Sequence, residues 1–71
     1  MNEINIGDVF RHFKGNVYKV IALARDCEDL SEVVVYQNVE KGNTWVRPLD
    51  NFLETVTRDG KNFKRFEKID E

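Results

Sequence analysis

Glycine sets the plan of this chain. Gly15-Asn16 separates residues 9–14 from residues 17–24, Gly42-Asn43 separates 33–37 from 44–47, and Asp59-Gly60 separates 53–57 from 62–66. The flanking runs are rich in β-branched and aromatic residues, which suit a pleated backbone. A two-residue loop needs positive φ, and glycine adopts it without steric penalty, so each pair predicts a tight hairpin. Three hairpins in succession predict an all-β fold, an antiparallel meander of five to six strands.

Alternation along the second run sorts its faces. Tyr18, Val20, Ala22 and Ala24 form an unbroken apolar set, and the opposite set of Val17, Lys19, Ile21 and Leu23 is interrupted only at Lys19. A strand apolar on both faces is central and covered on both sides, which predicts a curled sheet or a small barrel. Helix has little support. Residues 26–32 form an acidic surface connection, and Leu49, Phe52 and Leu53 after Pro48 allow one helical turn that plugs the open end of the sheet.

The staples that small domains use are missing. One cysteine makes no internal disulfide, and one cysteine with one histidine makes no structural zinc site. With 71 residues, no linker and no repeat, the whole chain reads as one domain, residues 1–71. No run approaches the ~20 apolar residues of a membrane span, and residues 1–8 lack a signal-peptide pattern, so the expected location is the cytoplasm, without a membrane partner. A net charge of −2 disfavours a generic polyanion binder. The acidic residues gather at 25–32, where Arg25 faces Asp26, Glu28, Asp29 and Glu32, and residues 58–71 read as a mixed, solvated face.

Catalysis would have to use His12, the one imidazole, with Cys27 or Glu28. A hydrolase or transferase on that basis is one alternative. Asp26, Glu28 and Asp29 match no calcium loop, and no metal or other cofactor is implied. A more productive pattern is aromatic and cationic. Trp45 and Arg47 share a strand face, as do Val34 and Tyr36 in the strand before it. Arginine beside Trp and Tyr stacks while presenting its fork to an anion. The candidate site is therefore Arg11, His12, Glu28, Tyr36, Trp45 and Arg47, in a non-enzymatic binding module for a peptide, a protein or a nucleotide-like anionic ligand. Single-stranded nucleic acid is a second alternative. The competing structural reading puts Trp45 in the core and pairs Arg47 with Glu28 or Asp50. Eight aromatics exceed what so small an interior holds, so some are exposed. The oligomeric expectation is a monomer or a dimer joined through an edge strand.

Two motifs carry a resemblance. Residues 11–15, Arg-His-Phe-Lys-Gly, and residues 45–48, Trp-Val-Arg-Pro, together with Gly7, Tyr18, Tyr36, Phe52 and Phe66, resemble the small bacterial family called domain of unknown function 1653. The resemblance spans nearly the whole chain and implies a short cytosolic protein, an SH3-like or similar small β-barrel, with no established activity. It also implies a His-Ser-Glu-Thr-like run after the second strand. Here Asp26, Cys27, Glu28 and Asp29 occupy those positions, and only Glu28 keeps its identity.

Overall fold

The computed structural model describes residues 4–69. Asp70 and Glu71, the last charges of the mixed C-terminal run, lie outside it. The elements in order are β1 (Val9–His12), β2 (Val17–Arg25), β3 (Glu32–Asn38), β4 (Thr44–Pro48), α1 (Leu49–Phe52), β5 (Thr55–Arg58), β6 (Lys61–Lys64) and β7 (Phe66–Ile69). Five strands form one antiparallel sheet in the order β4-β3-β2-β1-β7, and β5 and β6 form a separate ribbon. β4 and β7 are edges without a further partner strand among the described residues, so the sheet is a curled meander and does not close into a barrel.

The described residues form seven strands, more than the sequence predicts, because the run at 62–66 breaks at Arg65. Before the break, β6 pairs with β5; after it, β7 pairs with β1. The Arg65 backbone joins the two sheets, its N–H donating to the Glu54 carbonyl at 2.9 Å and its carbonyl accepting from the Phe13 N–H at 3.0 Å. Such a bend lets one stretch of chain serve two sheets.

Of the three glycine turns, only the last is a two-residue loop. Asp59 and Gly60 have φ of 51° and 75°, and Arg58 pairs directly with Lys61. That is the left-handed pair a primed hairpin turn requires. The first connection is four residues, closed by His12 N–H to the Asn16 carbonyl and Gly15 N–H to the His12 carbonyl, both at 2.7 Å. The second is five residues and is organised by Asn38, whose Oδ1 accepts the N–H groups of Glu40 and Lys41 at 2.9 and 2.8 Å. These bonds satisfy Asn38, the one buried polar residue among the described residues.

β2 also departs from simple alternation. Val20 pairs with Tyr36 but Ala22 with Val35, so Ile21 is the extra residue of a bulge. Beyond it the strand exchanges faces, and Leu23, opposite Val34, takes the side that Val20 held. This exchange accounts for a strand that reads as apolar on both faces.

The core is aromatic. Phe10, Val20, Val34, Tyr36, Phe52 and Phe66 are buried, with Ile4, Tyr18, Leu49 and Leu53 packed against them. The single turn α1 follows Pro48, the last residue of β4, which lies opposite Val33 but has no N–H to donate, and it carries Phe52 over the concave face. Phe52 stacks on Phe66 at 4.1 Å and meets Phe10 and Tyr36 edge-on at 5.0 and 5.3 Å. Offset-stacked and edge-on rings add to the area they bury. The plug expected at residues 49–53 is therefore present. No helix among the described residues is long and apolar enough to cross a membrane.

Candidate functional site

Strand pairing gathers four of the six candidate residues. Tyr36 lies opposite Trp45, Val34 opposite Arg47, and His12 opposite Phe66. The side chains of these three pairs belong to the concave face, since directly opposed residues share a side. Near the edge formed by β4 the cover thins. Tyr36 is 4% exposed, Arg47 is half-buried, and Trp45 is 52% exposed. His12, Tyr18, Tyr36, Trp45, Arg47 and Phe66 line a recess of about 200 Å³. Trp45 is thus a rim residue and not part of the core.

Arg47 is fixed by neutral groups. Its Nε donates to the Tyr36 hydroxyl at 3.1 Å, its Nη1 donates to Asn51 Oδ1, and its guanidinium lies 5.6 Å from the centre of the Phe66 ring. Asn51 Nδ2 in turn donates to Glu54 Oε1 at 2.9 Å, and that oxygen lies 3.6 Å from Arg65 Nη2. No carboxylate of the described residues comes within 4.0 Å of Arg47. The ion pair with Glu28 or Asp50 that the sequence suggests does not form. Arg47 keeps an uncompensated charge in a partly dehydrated place, where Coulomb interactions are stronger than in bulk water.

His12 reports the same field. Burial lowers its pKa from 6.5, and Arg47, Arg65 and Lys14 lower it further. Its Nδ1 accepts the Lys14 N–H at 3.1 Å, which places the proton of the neutral ring on Nε2. The ring is held edge-on to Phe66 at 5.0 Å and tilted against Phe13 at 4.4 Å. The recess therefore offers a guanidinium, an imidazole N–H and aromatic surface. The guanidinium and the imidazole N–H are both hydrogen-bond donors, the kind of group that complements an anion.

Two candidates lie elsewhere. Arg11 sits between Phe10 and His12 and so points to the opposite, convex face, level with Val17 and Glu67. Glu28 is exposed in the β2–β3 connection, its N–H donating to Asp26 Oδ1 at 2.7 Å. That connection, with the exposed Cys27, follows the far end of the nine-residue β2. His12 precedes the near end, so roughly 25 Å of strand separates it from Cys27 and Glu28. Neither pairing with His12 can form. No group of three or more His, Cys, Asp or Glu among the described residues is placed to hold a metal ion. Sequence reasoning missed Asn51 as an anchor, because Arg47 ends a strand and Asn51 belongs to the turn α1 after Pro48, so no single periodicity relates them.

Residues 8–68, and with them every residue of the recess, match the model of the family described as protein of unknown function DUF1653. The chain belongs to the DUF1653 family. A crystal structure of a DUF1653 protein from Bordetella bronchiseptica is 31% identical and superposes with a TM-score of 0.80, over 94% of this chain and 88% of that one. No curated protein matches. DUF1653 membership thus carries the small β fold.

Proposed function

We propose that this chain is a non-enzymatic binding module whose recess takes the carboxylate of an acidic peptide or protein segment. The observation that carries this reading is Arg47, half-buried and held only by the neutral oxygens of Tyr36 and Asn51. An arginine prepared in this way loses little side-chain freedom when it binds an anion. The recess volume of about 200 Å³ suits one side chain or chain terminus and falls below the ~300 Å³ at which small-molecule sites begin. Trp45 and the exposed Val46 supply flanking apolar surface, and Trp, Tyr and Arg are the residues that dominate binding energy at interfaces.

The test is a titration of isotopically labelled protein with a short acidic peptide and with its amidated, neutral counterpart. The acidic form alone is expected to shift the Trp45 indole and Arg47 Nε resonances at millimolar concentration. Arg47→Lys keeps the charge but loses the fork, and is expected to weaken binding about tenfold, the worth of one good charge-assisted contact. Unmoved resonances, or equal response to the neutral peptide, overturn the proposal.

A further inference from the structure

A second concave region has a different chemistry. Between the β1–β2 connection and the β5–β6 hairpin runs an open cleft of about 890 Å³, lined by Arg11, Phe13, Arg58, Lys61, Phe63 and Lys64, and also by His12, Gly15, Asp59 and Glu67. Its lining carries four Lys or Arg against two carboxylates, in a chain whose net charge is −2. Lys14 adds a fifth cation at the cleft edge, its Nζ 5.9 Å from the centre of the Phe13 ring. The Arg58 guanidinium approaches the same ring at 5.6 Å, and Phe13 packs against Phe63 at 5.3 Å. None of these five cations has an ion-pair partner among the described residues; the ion pairs present use Arg25, Arg65 and Lys68.

We propose that this cleft binds single-stranded nucleic acid through its phosphates. The fold concentrates here the positive charge that the sequence scatters over residues 11–14 and 58–64, while the carboxylates of residues 26–32 gather at the far end of β2. The cations do not converge on one point. Lys61 and Lys64 stand at the two ends of β6, about 10 Å apart along the strand, and Arg11 and Lys14 belong to another hairpin. A series of singly charged phosphates matches that spread better than one compact phosphate on a peptide. Two half-buried phenylalanines among the cations give the apolar surface against which bases pack in sequence-tolerant single-strand binders. The site shares only His12 with the recess, and its fate is separate from that of the carboxylate reading.

The test uses dye-labelled oligo-dT and oligo-U of about 15 nucleotides, within the footprint of a small β domain. Binding is expected to weaken steeply between about 50 and 200 mM salt. The exposed pair Lys61→Ala and Lys64→Ala is expected to weaken binding at least tenfold at ~100 mM salt and to flatten the log–log salt slope by ~1.4, the share of two phosphates on a single strand. Lys41→Ala, outside the cleft, and Arg47→Lys, in the recess, leave it unchanged. Thermal melts of each variant establish that the fold survives. The proposal is overturned by absence of binding at low salt, by a flat salt response, by equal losses in Lys41→Ala, or by preference for a phosphopeptide of equal charge.

Discussion

Leu30 holds a φ of 62° while 66% of its surface is exposed, so no packing compensates the left-handed backbone. The conformation is imposed by its surroundings: its N–H donates to the Asp26 carbonyl at 2.8 Å and its carbonyl accepts from Arg25 at 2.9 Å. Asparagine tolerates this region with less strain. Leu30→Asn is expected to stabilise the protein by about 0.5–1 kcal/mol, read as a higher urea midpoint at unchanged slope. His12 gives a pH dependence of definite sign. Its folded pKa lies below 6.5, so the unfolded chain takes the proton first, and the stability this histidine contributes is complete above about pH 6.5 and declines as pH falls toward the folded value. The wild type is expected to lose more stability than His12→Gln between pH ~7 and ~5, in paired urea titrations. At this scale, alternation made the association of Trp45, Arg47 and Tyr36 legible. It also excluded Arg11 from the face of His12, a consequence that grouping residues by chemistry overlooked.

The β5–β6 hairpin is the element whose turn is most demanding, with two consecutive left-handed residues. A Cβ added at Gly60 meets nothing within 4 Å, so the cost of Gly60→Ala is conformational and not a clash. We expect about 1 kcal/mol of destabilisation, against less than about 0.5 for Lys41→Ala, by chemical denaturation. The three turns were legible because glycine marks left-handed backbone, and Gly15, Gly42 and Gly60 all have positive φ. Their lengths were not, because loop closure depends on tertiary bonds such as Asn38 Oδ1 to Glu40 and Lys41. The bulge at Ile21 and the break at Arg65 were hidden for a related reason. Both are places where one strand answers to two partners, and local patterning records only one.

For the whole molecule, stability rests on one aromatic cluster. A 71-residue domain has about 4–10 kcal/mol at the usual 0.05–0.15 per residue. Phe52 is fully buried and touches Phe10, Tyr36 and Phe66, and Phe52→Ala removes about 3–5 kcal/mol. That variant is expected to be largely unfolded by circular dichroism at 37 °C, and Trp45→Ala to stay folded. The exposed Trp45 has a practical consequence. As the only tryptophan, it makes the protein its own spectroscopic reporter: emission should be red-shifted and open to acrylamide quenching in the free state, and should move blue when anything covers the recess. Because Trp45 is absent from the lining of the basic cleft, the same unlabelled sample separates occupancy of one concavity from occupancy of the other.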